Sequence, residues 1–216
     1  PLVLDWILPD VEADGTDAEL NPSDWRDLVA STNSDYRQQF SVTTFKLTDG
    51  GLEYIDGETI VGPSSWGTYV DNNTVYASHA ISTFQLAVAD QLEPQRTEIF
   101  AIQFDADGVE FAASGVIQGT IRDSRMMDEY EGNLRVFSES RSWTLVSGEQ
   151  ASGERVFVEK VSSDLYILKP TAGKLEIIGQ LSDVADGQAL YSAFFDEDQA
   201  MITTWVSAIP NQWNSL

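Results

Sequence analysis

Carboxylates are the main chemical resource of this chain: 35 aspartates and glutamates stand against 12 lysines and arginines, with one histidine and no cysteine. Hard cations are held by clustered oxygen ligands on acidic turns that contain a glycine bend. The segment Asp10-Val11-Glu12-Ala13-Asp14-Gly15-Thr16-Asp17 has that pattern, with acids at alternating positions ahead of Gly15. Asp10, Glu12, Asp14 and Asp17 are therefore the candidate calcium ligands. The second half of an EF-hand loop is missing, because Asn21 stands where a bidentate glutamate belongs. Asp105 and Asp107, ahead of Gly108, form a second candidate whose ordinary reading is a hairpin turn. Calcium is the one cofactor these residues suggest, since phosphate-cradling and dinucleotide-binding glycine loops are absent.

Glycoside hydrolysis needs two carboxyl groups facing each other across a cleft. Asp128 with Glu129, and Asp196 with Glu197 and Asp198, are adjacent acids of that kind. With so many acids, adjacency by itself selects nothing, and Asp196 to Asp198 reads as a solvated turn. His79 must serve any Ser-His-Asp arrangement, with Ser78, Ser82 or Asp71 as partners, yet no Gly-x-Ser-x-Gly elbow is present. A structural or solvent-facing histidine is the simpler reading. A site with two histidine metal ligands, a disulfide framework and a thiol nucleophile are all excluded.

Aromatic rings offer contact area at low entropic cost. Tyr69, Tyr130 and Tyr191 fall in strand patterns and are expected to pack between layers. Trp143, in a hairpin insertion from Arg141 to Val158, and Trp213, near the end, are the candidate contacts for a protein or carbohydrate partner. A formal charge of -23 excludes binding to nucleic-acid backbones or an anionic membrane surface. It suits surroundings rich in salt or calcium, where cations screen self-repulsion. Leu2 to Leu8 is too short to span a bilayer, is interrupted by Asp5 and has no basic residues before it, so neither membrane insertion nor a signal peptide is expected. The Pro1 start reads as a processed or excised piece of a longer precursor.

Periodicity close to two dominates, as in Val42 to Leu47, Thr74 to Ser78, Leu134 to Phe137 and Ala200 to Thr204. Asp49-Gly50-Gly51, Asp71-Asn72-Asn73, Glu131-Gly132-Asn133 and Ala172-Gly173 separate these strands with turn residues. Only Pro22 to Val29 has a helical pattern, capped by Asn21 or Ser23. Three segments superimpose at intervals of about 57 to 66 residues: Phe45 to Tyr54, Ile102 to Phe111 and Ile167 to Ile177. Each leads through a glycine (Gly62, Gly115, Gly179) to an aromatic strand: Trp66 to Val70, Met126 to Tyr130, and Leu190 to Phe195. Four antiparallel strands recurring in fixed order predict an all-β propeller, with a β-sandwich as the alternative.

The stretch Met126-Met127-Asp128-Glu129-Tyr130-Glu131-Gly132-Asn133-Leu134-Arg135-Val136, preceded by Ala113 to Gly119, resembles the secreted beta-propeller domain family of bacteria and archaea, itself distantly similar to WD-repeat propellers. Asp164 to Leu168, Leu175 to Gly179, Gln188 to Phe195 and Ala200 to Thr204 follow the same order, and the resemblance runs from about Phe40 to Trp205. It implies an exported or cell-surface propeller with no assigned catalytic residues.

Taking the aromatic strand as innermost, residues 66 to 117 and 126 to 181 are two blades, flanked by an outer half-blade at 41 to 60 and an inner half-blade at 190 to 205. The halves are complementary and able to pair as a closing blade, but that gives about three blades against a typical four to eight. The expectation is therefore a partial ring whose open edges are covered by missing blades or neighbouring subunits. The chain divides into an acidic N-terminal segment with a short helix (1–39), blades (40–205), and a terminal strand or tail (206–216). The expected function is a non-catalytic extracellular binding or scaffolding module. Alternatives are an extracellular carboxylate-dependent polysaccharide hydrolase and a self-assembling surface component.

Overall fold

The computed structural model describes residues 12–13, 16–17, 28–30, 38–62, 66–81, 95–146 and 156–205. Nearly all are strands; among the described residues the helical content is one 3-10 turn, Ser124–Met126. No helix among them is long and apolar enough to cross a membrane.

Two meanders of four antiparallel strands form the centre. The first comprises β6 (Gly67–Asp71), β7 (Thr74–Ile81), β8 (Arg96–Phe104) and β9 (Val109–Gln118). The second comprises β10 (Met127–Tyr130), β11 (Asn133–Val146), β12 (Val156–Thr171) and β13 (Lys174–Leu181). Two hairpins flank them: β4 (Gln38–Thr48) with β5 (Gly51–Gly62), and β14 (Ala189–Asp196) with β15 (Gln199–Trp205). Before these, β1 (Glu12–Ala13) pairs antiparallel with β2 (Thr16–Asp17), and β3 (Leu28–Ala30) runs parallel to β5. β3 overturns the end of the helix expected over 22–29: its hydrogen bonds to Thr59, Ile60 and Val61 outweigh a weak local helical pattern. Residues 22–27 lie outside the described residues.

The meanders are the two expected blades, and they lie face to face. A parallel contact, Lys174 opposite Ser114, joins β13 to β9, so the two form one eight-stranded sheet folded back on itself until β6 approaches β10. Between them lies a core of Tyr76, Ile99, Ala113 and Ile117 from one blade and Leu134, Val136, Leu168 and Leu175 from the other. The other face of the first blade packs Val75, Ala77, Phe100 and Ile102 against Ile60 and Phe40 of the β4–β5 hairpin. The other face of the second packs Phe137 and Leu165 against Leu190, Ala193 and Ile202 of β14–β15. The half-blades stand in separate sheets on opposite sides of the stack and do not pair with each other.

The repeat is carried by a shared bulge. Register shifts after Thr44, Ala101 and Ile167 leave Ile55, Ala112 and Ile178 as the extra residues in the three outer hairpins, at the spacing read from the sequence. The three glycines Gly62, Gly115 and Gly179 are not equivalents in this register. Gly62 lies under the Trp66 ring, whereas Gly115 lies at the seam between blades, where an added Cβ would come 2.6 Å from the Leu175 carbonyl oxygen and 2.8 Å from its Cβ.

Gly115→Ala must therefore push the seam apart. The expected loss is about 1–3 kcal/mol, or roughly 3–10 °C in Tm, read by thermal denaturation. Gly50→Ala, whose Cβ would meet only Thr48 Oγ1 at 3.9 Å, is expected to stay within about 0.5 kcal/mol of the parent.

Candidate functional site

Successive connections in an antiparallel meander alternate between its two ends. One end carries short turns: 72–73, 131–132, 172–173 and 197–198. Glu131 with Gly132, and Ala172 with Gly173, take positive φ in both turn positions, as tight hairpins require. The other end carries longer connections, including 119–126 and 182–188. Ligand groups sit more often on such loops than on tight turns.

At the long-loop end a cavity of about 240 Å³ opens between the blades, walled by Trp66, Ser78, Thr97, Arg122 and Asp123. Loop 119–126 is firmly held. Thr97 Oγ1 donates to the Gly119 carbonyl (2.7 Å), Arg122 Nη1 to the Leu190 carbonyl (2.7 Å), and Asp123 accepts from the backbone and side chain of Arg125. The Arg125 hydrogen bonds hold the Asp123 carboxyl below the usual carboxylate range. Among the described residues, Trp66 Nε1 is buried and has no hydrogen-bond partner.

His79 also reaches this wall, but as a structural group. It is 2% exposed, edge-on to Trp66 and stacked on Phe100, with Nε2 3.1 Å from Glu98 Oε2. That is an ion-pair distance, off the line of a hydrogen bond. The same place in the second blade holds Ser138 opposite Asp164, a buried carboxylate that accepts from Tyr166 and from the Asp183 backbone. Sequence reading passed over Glu98 and Asp164; their common place in the repeat was the signal that marks them.

The Asp128–Glu129 pair does not share a cleft. Consecutive strand residues point to opposite faces. Glu129 turns to the first blade and accepts from Tyr76 Oη (2.7 Å), while Tyr69 Oη accepts from the Glu129 N–H (3.2 Å). Asp128 turns to the other face and pairs with Arg135, which also donates to the Glu197 carbonyl (2.5 Å) and lies over the Tyr130 and Phe195 rings. Neither carboxylate is placed to work with the other on one substrate.

Asp105 Oδ1 accepts from the N–H groups of Asp107 and Gly108, closing the hairpin turn on itself. Glu12 and Asp17 are register partners in β1 and β2; Asp10 and Asp14 lie outside the described residues. Among the described residues no three histidine or carboxylate groups converge to hold a metal ion. Trp143 sits in β11 opposite Glu159, with its side chain outside the described residues, as is all of Trp213. Tyr69 packs between blades as expected. Tyr191 does not: the bulge after Leu190 turns it outward, 61% exposed beneath Arg122.

The sequence model of the beta propeller domain matches residues 3–208. The chain belongs to the beta-propeller domain family. Blade order, shared bulge and stacked cores agree with that membership. An uncharacterized protein of Methanocaldococcus jannaschii is 29% identical over 118 residues, which cover 55% of this chain and 16% of that protein. The chain thus spans about a sixth of the length of this curated relative. No solved structure matches the chain.

Two outcomes follow for this propeller domain. Asp128→Ala strands the buried Arg135 guanidinium, and a loss of about 2–4 kcal/mol is expected in urea denaturation, with Arg135→Leu in the same background recovering part of it. Burial pushes up the phenols of Tyr69 and Tyr76, each also donating to a carboxylate, and pushes Tyr166 up to about 12 beside Asp164. A free tyrosine ionises near 10, so between these values the folded chain binds more protons than the unfolded one. Stability is full below about pH 10 and falls as pH rises toward about 12; the urea midpoint is expected to drop with that sign, and less steeply in Tyr76→Phe.

Proposed function

We propose that the chain is a non-catalytic binding module whose ligand enters the cavity between blades at the long-loop end. The observation that carries this reading is a firmly braced cavity of about 240 Å³ whose wall sets Trp66 beside Ser78, Thr97, Arg122 and Asp123. The cavity admits a group of about one sugar ring, and the mixture of aromatic and polar wall suits a saccharide, with hydroxyl acceptors beside an apolar face. An exported location belongs to the same proposal, supported by a surface whose charge of -23 is best tolerated where cations screen it.

Tryptophan fluorescence titrated with a panel of mono- and disaccharides tests the reading. Saturable quenching is expected for at least one sugar, with affinity about tenfold weaker in Trp66→Phe, which trims the aromatic wall of the cavity. A panel without saturable binding up to tens of millimolar, or binding indifferent to Trp66→Phe, overturns it.

A further inference from the structure

Arginine meets carboxylate three times among the described residues: Arg125 with Asp123, Arg135 with Asp128 and Arg141 with Glu139. Arg122, in the wall of the long-loop cavity, is set differently. Its Nη1 donates to the Leu190 carbonyl at 2.7 Å, its guanidinium lies 5.4 Å above the centre of the Tyr191 ring, and the residue is exposed. The acids nearest it in the hydrogen-bond network are engaged by the other arginines. Asp123 takes Arg125 on both oxygens, at 3.2 and 2.9 Å, and Glu139 takes Arg141 on Oε1 and the Leu190 N–H on Oε2. His79, also in the wall, is buried against Glu98.

The place of Arg122 is fixed from three sides. Thr120 pairs with Glu139 through the backbone, Asp123 caps the Ser124–Met126 turn, and the bulge after Leu190 turns the Tyr191 ring out beneath the guanidinium. A guanidinium anchored in this way gives up little freedom when a ligand binds. The Leu190 bond uses one of its five N–H donors. Such a fork recognises a carboxylate through two parallel charge-assisted hydrogen bonds, each about twice as strong as a bond between neutral groups. The local charge has the matching sign: loop 119–126 carries Arg122 and Arg125 against Asp123, within a chain of formal charge -23.

We propose, resting on the reading of this cavity as a sugar site, that its ligand is an acidic saccharide, a uronate, with its carboxylate on Arg122 and its ring against Trp66. Arg122 then sets specificity. A neutral sugar presents a hydroxymethyl group where the uronate presents its carboxylate, so the two differ at the group that Arg122 meets. The overall charge repels anions at long range, and the preference is made at contact distance.

Isothermal titration calorimetry on the full chain, with glucuronate against glucose and galacturonate against galactose at matched ionic strength, tests it. Each uronate is expected to bind about tenfold tighter than its neutral counterpart, and about tenfold tighter than acetate, the carboxylate without the ring. Arg122→Gln keeps an amide donor for the Leu190 carbonyl and is expected to bring the ratio of uronate to neutral affinity to about one. Arg122→Lys, which keeps the charge but not the fork, leaves the ratio in between. A merely structural role would not move this ratio, because a loosened loop weakens both sugars alike. Neutral sugars bound as tightly as uronates, or a ratio that survives Arg122→Gln, overturn the proposal and leave the sugar site standing. Acetate bound as tightly as the uronates, which marks a bare anion site, overturns it too, and saturable binding by neither kind of sugar overturns it together with the sugar site.

Discussion

A sheet that is apolar on both faces is stable only when both faces are covered, and this constraint governs the chain. Along Thr74–Ile81 every residue but Ala80 is buried. Val75 and Ala77 point to one neighbour and Tyr76 to the other, so β7 belongs to two cores at once. A strand of this kind has no solvated face to give up, in contrast to an ordinary antiparallel sheet with one polar side. Stacking against a layer on each side is the arrangement that satisfies it, and the repeat follows because each added layer presents the same problem to the next.

Polar groups enter this stack only where the adjoining layer supplies a partner. Tyr76 crosses the seam to Glu129, Arg135 reaches from β11 to the backbone of Glu197, and Arg122 ties loop 119–126 to Leu190. Such groups align one layer on another, since apolar packing alone tolerates sliding, and a buried charge shifted off its partner is expensive. The same commitment removes them from chemistry. The Asp128 and Glu129 carboxylates, which look available in the sequence, are occupied in the fold, whereas the cavity at the loop end stays open.

Much of the architecture was legible because period two, turn residues and a repeat of about 57 to 66 residues all reflect backbone geometry. The blade limits near 66, 117, 126 and 181 match strand ends within a residue or two. Other features left no local trace. Ile55, Ala112 and Ile178 look like ordinary strand residues, and only pairing reveals them as bulges. The outward turn of Tyr191 follows from such an irregularity. β3 took strand form through a parallel partner some thirty positions away in sequence, beyond the reach of a local pattern. The separation of Asp128 from Glu129, by contrast, was there to be read: neighbours in a strand face apart.

One position shows how far the layers differ while remaining the same. Tyr76, Arg135 and Met201 are the same ladder residue in three successive hairpins, opposite Tyr69, Asp128 and Phe194. The first is a phenol because Glu129 waits across the seam; the second is a guanidinium because Asp128 and the Glu197 carbonyl surround it. The third is apolar, with an apolar partner. The ladder fixes where each side chain stands, and at the first two the adjoining layer fixes its chemistry, so the backbone repeats while the residues do not.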